Sequence, residues 1–371
     1  MDEHPARERE NARRPTNRRA HGGLLHDELA PLGIRADEVL DASVNVNPYG
    51  PCPALRRAVA EAAIDRYPEP TANVARRALA GWMQVDPARV VLGNGAVDLL
   101  WSLARALLGW RDRVAIVEPA FSEMRAAAGR VGAEVFEYRT EADADFAVDL
   151  ETVHAFLEQV RPRLLYIGSP SNPAGVGVPL HGLGRLADRH PGTLFIVDIS
   201  FLSLSVRHAE GRGALSHRIV WVRSLTKDHA LAGLRVGFAI APPDVAARLE
   251  AERPPWSVNA LAQAAAIAAT TEEAARFVDE SRDRLLGARV LLEQALARLN
   301  IRFHPSETIF TLADLGARVR ATDLRRDLLL RHRVLVRDAT SFGLPHHIRI
   351  AARPANDLDR IVTALTEELR L

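Results

Sequence analysis

Lysine is almost absent from this chain. Of 371 residues one is lysine, Lys227, and the other 47 of the 48 basic residues are arginine. Cysteine is as scarce: Cys52 stands alone, which excludes an internal disulfide framework and a CxxC metal site. Long apolar runs are missing too. None reaches the roughly 18 residues needed to cross a bilayer. Charge of one sign is also missing, since the net charge is +1. That leaves no overall electrostatic attraction to nucleic acid or to an anionic membrane.

Residues 1–20 carry six arginines and four acids with almost no apolar content. The pairs Arg13-Arg14 and Arg18-Arg19 resemble twin-arginine export signals, but no hydrophobic segment follows either. This stretch is read as a disordered basic tail. The protein is expected to be cytoplasmic and to bind neither nucleic acid nor membrane. With 47% hydrophobic residues, the remainder is long enough for one two-lobed body or two domains.

An arginine cannot form an imine, because its guanidinium stays protonated. A lysine whose pKa is lowered can lose its proton and attack a carbonyl. The one amine in an arginine-rich chain is therefore either an accident of composition or a position where only lysine serves. Its neighbours, Ser224-Leu225-Thr226 before it and Arg235 after it, decide between the two.

From about residue 85, short β-branched runs alternate with longer helical patterns. Val90–Leu92, Val114–Val117, Leu164–Ile167, Leu194–Val197 and Ile219–Val222 read as buried strands of a mainly parallel sheet. Polar residues cluster after their carboxyl ends, where open α/β sheets place ligands. Residues 261–300 read as one long helix or a helix pair. A second lobe follows, with strands at Ile301–Phe303, Ile309–Leu312, Val334–Arg337 and Ile348–Ile350, and helices over 322–332 and from Asp357.

Five strand-end motifs together suit a phosphorylated aromatic aldehyde. Gly93-Asn94-Gly95-Ala96 opens a helix whose backbone N–H groups can meet a phosphate, though such a sequence alone is equally a plain turn. Phe121 places a ring at a strand end, where a core phenylalanine is the bland alternative. Asn172, in a proline-fixed loop, can donate to a phenolate oxygen. Asp198 ends an otherwise apolar strand; it can pair with a protonated ring nitrogen or merely cap a helix. Ser224, Thr226 and Arg235 can hold a phosphate while Lys227 forms the imine.

This set, with Gly233-x-Arg235-x-Gly237, resembles the fold-type I pyridoxal-phosphate enzymes of the class I/II aminotransferase superfamily. Within it the chain is most similar to L-threonine-O-3-phosphate decarboxylases and histidinol-phosphate aminotransferases. His21-Gly22-Gly23, Asp41 to Pro48, Arg66-Tyr67-Pro68, Pro254 to Asn259, and the stretch from Val336 to Ile350 carry that likeness. The resemblance implies an α/β fold: a large domain with a mainly parallel seven-stranded sheet between helices, plus a smaller α+β domain. The implied division is an N-terminal arm over 21–49, a large domain over 50–260 and a small domain over 261–371. The implied cofactor is pyridoxal 5'-phosphate. Lys227 would carry it as an imine, Asp198 would pair with the ring nitrogen, Asn172 would contact the ring hydroxyl and Phe121 would stack on the ring, with Phe201 beside it. Gly95, Ala96, Ser224, Thr226 and Arg235 would bind its phosphate. Tyr67 would reach the phosphate of a partner subunit's cofactor, making the active unit a homodimer. Arg349 would bind the substrate carboxylate and Arg337 a second anion, for which a surface ion pair is the alternative, with Asn47 also contacting the substrate.

The chain departs from the family in two places. Asp198-Ile199-Ser200-Phe201-Leu202-Ser203 lacks the two acids the family carries there, and Ile309 replaces an expected asparagine. The expected activity is decarboxylation or transamination at the α-carbon of a small amino acid with a second anionic group. The departures motivate an alternative, β-elimination or oxidative deamination of a modified amino acid. A non-catalytic cofactor-binding regulator is the third reading; no helix-turn-helix extension accompanies it.

Overall fold

The computed structural model describes residues 21–212 and 216–369. The tail expected over residues 1–20 lies outside the described residues. The strands in chain order are β1 (Leu40–Asp41), β2 (Val90–Gly93), β3 (Arg113–Glu118), β4 (Glu134–Arg139), β5 (Leu164–Gly168), β6 (Leu194–Asp198), β7 (Ile219–Ser224) and β8 (Gly237–Ile240). After them come β9 (Arg302–His304), β10 (Phe310–Asp314), β11 (Val334–Leu335), β12 (Arg337–Asp338) and β13 (His347–Ala351).

Seven strands form one sheet in the order β2-β8-β7-β6-β5-β3-β4. All its pairings are parallel except those of β8, which runs antiparallel to both β2 and β7. Successive side chains point to opposite faces of a strand, so each apolar run feeds two cores. Leu92, Ala115, Leu165, Phe195 and Trp221 pack on one face. Val91, Ile116, Tyr166, Ile196 and Val220 pack on the other. Helices Asn73–Met83 and Ala260–Ala268 contribute to the first core. Helix Ala96–Leu107 covers the second with Leu99, Leu100, Leu103 and Leu107.

The C-terminal part is built around an antiparallel sheet ordered β12-β13-β10-β9. Its Ile348 and Ile350 pack with Leu292, Leu296, Leu324, Leu328, Ile361 and Leu365, from helices Glu272–Arg298, Ala321–His332 and Ala355–Glu368. The helices thus take one face. Arg349 and His347, two apart on β13, lie on the other. The expected single strand Val334–Arg337 is divided: β11 pairs with β1, while β12 joins the small sheet. The stretch 261–300 is a helix pair, with Thr271 capping the second helix through the Ala274 N–H. Three strands have no match in the sequence reading, β4, β8 and the two-residue β1. In β4 half-buried residues mix with charged ones at the sheet edge, and β8 begins inside the Arg235 motif.

Leu103 is fully buried in the second core. Leu103→Ala should cost about 2–5 kcal/mol, by lost burial plus the cavity left behind. A urea unfolding titration measures it, and a loss under about 1 kcal/mol would mean that the helix is not docked as described.

Candidate active site

The carboxyl ends of β2, β3, β5, β6 and β7 open into a cavity of about 760 Å³, roofed by residues of the small sheet. Of the expected site residues, Ala96, Phe121, Asn172, Asp198, Phe201, Ser224, Thr226, Lys227, Arg235, Arg337 and Arg349 line it. Segments more than two hundred residues apart in sequence are therefore gathered at one place.

One end is built to hold an anion. Gly95 caps helix Ala96–Leu107 with φ +85°, and a Cβ there would meet the Arg235 guanidinium at 2.7 Å. Only glycine lets the backbone and Arg235 share that space. The Ser224 and Thr226 hydroxyls lie 2.6 Å apart beside it. A helix start, two hydroxyls and a guanidinium are the donor set of a phosphate site.

Asp198 lies on the same cavity wall. Its Oδ1 accepts the Ser200 N–H at 2.9 Å, and its Oδ2 accepts the Tyr166 hydroxyl at 3.2 Å. Burial raises its pKa, against the opposing pull of the Ser200 and Tyr166 hydrogen bonds and of the Lys227 charge. Tyr166 went unnoticed in the sequence, because a tyrosine inside the apolar run Leu164–Ile167 reads as core. Its burial pushes its hydroxyl pKa well above 10, followed by the Asp198 charge, so it serves as a fixed donor.

Lys227 sits in the short helix Leu225–Asp228. The enclosing protein withholds water from its amine and brings its pKa from 10.5 down to about 8, helped by the Arg349 and Arg235 charges against Asp198. Arg349 is itself pulled down to about 9 by burial and then by Arg337. It donates to the Asn172 side-chain oxygen, and to the Ser43 carbonyl at 2.6 Å. The first contact uses the acceptor end of Asn172 and turns its NH2 into the donor facing the cavity. Arg337 lies directly across from Arg349 in the β12–β13 register, donates to Ser341 Oγ at 2.6 Å and covers the Phe342 ring.

Three expected residues are placed differently. Asn47 does not line the cavity: its amide donates to the Asp228 carbonyl at 3.0 Å and accepts the Tyr49 N–H at 3.1 Å, so it braces the lysine segment instead. Asn45, two residues earlier, lines the cavity with both side-chain polar atoms buried and without a hydrogen-bond partner. Gly95 acts through its backbone. Tyr67 is 80% exposed and stacks on Trp256 at 4.9 Å, away from the cavity of its own chain. The cavity flank holds a further group absent from the sequence-derived site. Glu123 accepts from His21 at 3.0 Å and from the Trp101 indole at 2.8 Å, tying the start of the described chain to the cavity wall.

The family departures also find a physical account. Ser203 stands near where an acid was expected, but its hydroxyl donates to Asp228 Oδ2 at 2.7 Å, and Arg223 approaches the same oxygen at 3.3 Å. A carboxylate is thus supplied from the lysine segment. Burial alone would raise the pKa of Asp228, but His229, Arg223 and Ser203 outweigh it and keep it low. Ile309, where an asparagine was expected, belongs to one apolar cluster with Phe201 and Phe310.

The family described as Aminotransferase class I and II matches residues 37–365. The chain belongs to that family. Its cofactor is pyridoxal 5'-phosphate, and it is an enzyme of the aminotransferase or decarboxylase type. A histidinol-phosphate aminotransferase of Ralstonia nicotianae is 32% identical, over 94% of this chain and 93% of its own. A threonine-phosphate decarboxylase of Salmonella typhimurium is 33% identical, over 94% and 96%. Among solved structures, the L-threonine-O-3-phosphate decarboxylase of Porphyromonas gingivalis superposes with a TM-score of 0.77 at 29% identity, covering 89% of this chain and 99% of that one. A histidinol-phosphate aminotransferase of Sinorhizobium meliloti, solved with pyridoxal-5'-phosphate, shares the fold at a TM-score of 0.82 and 23% identity, over 94% and 95%. The donor set fits the cofactor: hydroxyls and a helix start for a phosphate, a carboxylate for a ring nitrogen, and an amine enclosed between them. The cavity also leaves room for a substrate.

A single lysine allows a direct test. Apoprotein carrying carbon-13 at the lysine ε position should give one side-chain resonance titrating at about 8, and Arg349→Met should move that midpoint upward. A midpoint near 10.5 would mean that the amine is exposed to bulk water.

Proposed function

We propose that this enzyme decarboxylates or transaminates a small α-amino acid that carries a second, phosphate-like anion. The observation that supports this is the pair Arg337 and Arg349: two buried guanidiniums opposite each other on β12 and β13, facing the cavity that holds Lys227. A carboxylate at Arg349 and a phosphate at Arg337 would match the planar donor forks of the two guanidiniums through bidentate contacts. Threonine phosphate and histidinol phosphate, named for the relatives, both carry the phosphate.

Bound pyridoxal phosphate supplies the sink for the electron pair released when a bond to the α-carbon breaks. Ser224, Thr226, Arg235 and the Gly95–Ala96 backbone would hold its phosphate. Asp198, fixed by Ser200 and Tyr166, would keep a proton on the ring nitrogen. Asn172 would donate to the ring oxygen and Phe121 would cover the ring. Lys227, once displaced by the substrate amine, is the base and acid that moves a proton at the α-carbon. Arg349 sets which bond breaks. A carboxylate pinned against it is retained while the α-proton leaves; a carboxylate turned away leaves as CO2, and the α-carbon takes a proton instead. Decarboxylation is slightly favoured, on the likeness of His21-Gly22-Gly23 and of residues 254–259 to that branch.

The active unit in this reading is a homodimer, with Tyr67 reaching the partner's cofactor phosphate. The exposed Tyr67–Trp256 stack supports it. Mixing Tyr67→Phe and Lys227→Ala chains should then create one site with both groups intact, so activity rises above that of either parent. No gain on mixing would place Tyr67 in its own site or in none.

The reaction is tested with O-phospho-L-threonine, with and without a 2-oxo acid. CO2 and the aminopropanol phosphate without an acceptor establish decarboxylation; an acceptor-dependent keto product establishes transamination. Arg337→Ala should slow either about tenfold or more, as loss of a charge-assisted contact worth 1.5–3 kcal/mol does, while leaving L-threonine little affected. Release of inorganic phosphate with 2-oxobutanoate, or no turnover at all, would overturn the proposal.

A further inference from the structure

On the face of the small sheet turned away from its helices, His304 of β9 and His347 of β13 flank β10. The registers Leu312↔His304 and Asp314↔His347 bring both imidazoles and the Asp314 carboxylate to the same face of neighbouring strands. His304 is fully buried and His347 nearly so. Their Nε2 atoms face each other at 3.2 Å, and one ligand atom from each of the three residues falls within 4.8 Å of the others.

The far side of His304 fixes its protonation. Its Nδ1 lies 2.9 Å from Asp145 Oδ1, in the loop after β4. An ionised carboxylate only accepts, so Nδ1 carries the proton and Nε2 presents its lone pair towards His347. The remaining nitrogen, His347 Nδ1, is buried without a hydrogen-bond partner. A hydrogen bond between the two Nε2 atoms leaves that nitrogen unsatisfied.

The same spacing fits metal coordination. Two imidazoles on one tetrahedral zinc, each about 2.0–2.1 Å from the ion, hold their nitrogens about 3.3 Å apart. A carboxylate behind a ligating histidine, as Asp145 stands behind His304, orients the ring and raises its basicity. A second group, His154, Glu158 and His190, lacks this spacing. There the His154 Nδ1 to His190 Nε2 distance is 2.7 Å, a hydrogen bond rather than two ligands of one ion.

We propose that His304, His347 and Asp314 form a binding site for a zinc-like divalent cation, with Asp145 as the residue positioning His304. Two imidazole nitrogens and one carboxylate oxygen suit zinc rather than calcium or magnesium. The ion joins β9, β10 and β13 and, through Asp145, fastens the small sheet to the loop after β4. His347 is two residues from Arg349 on the same face of β13, so the ion stiffens the strand that carries the proposed substrate-binding arginine.

The test is equilibrium dialysis of tag-free, cofactor-loaded enzyme against Zn2+, with bound metal counted by mass spectrometry. About one ion per chain is expected, held by three protein ligands with water completing its coordination. His347→Asn and the milder Asp314→Asn should abolish it. Asp145→Asn should weaken it about 10–100-fold, and His190→Asn should leave it unchanged. Retention of the cofactor absorbance by the variants shows that they are folded. No bound zinc in the parent enzyme, or equal binding by folded His347→Asn, would overturn the proposal.

Discussion

The Arg349 guanidinium joins three distant parts of the chain. It projects from β13, donates to the Ser43 carbonyl in the N-terminal segment and to the Asn172 side chain after β5, and its charge helps lower the pKa of Lys227. A buried cation is costly unless it is hydrogen-bonded, and both terminal nitrogens of Arg349 are. Arg349 therefore sets the position of the small sheet over the carboxyl ends of the large one. In doing so it orients the Asn172 amide and leaves the lysine amine able to lose its proton near neutral pH.

Most of the large sheet was legible because its strands are short apolar runs ending in turn residues, and the ligand site lies where those runs stop. Lys227, Asp198 and Asn172 were legible because each is a polar residue at or just after such a stop, and Arg235 because it sits in the Gly233-x-Arg235-x-Gly237 motif that follows Lys227. What escaped reading had physical reasons. Tyr166 hides in an apolar strand, and only the facing Asp198 makes it a hydrogen-bond donor at the site. Asn45 and Asn47 are indistinguishable in sequence, but Asn47 is held by its hydrogen bond to the Asp228 carbonyl while Asn45 lines the cavity. Strand β4 lacked a clean apolar period, because an edge strand keeps charged residues on it.

The family departures are coupled. Ser203, where an acid was expected nearby, is a donor to Asp228, and Arg223 supports the same carboxylate. Ile309, where an asparagine was expected, joins Phe201 and Phe310 in one apolar cluster. Paired replacements of this kind keep the cavity's hydrogen-bonding and packing needs met while changing which residues meet them. They explain how the cofactor shell can stay intact around a locally altered wall.

The central claim is that the one lysine is the point of cofactor attachment. Borohydride reduction of the holoenzyme followed by peptide mass mapping tests it most directly, because the only other amine is the chain terminus. The account predicts the reduced cofactor on the peptide containing Lys227, and none after Lys227→Ala. Label at the terminus alone, or an undiminished adduct in the variant, would contradict it.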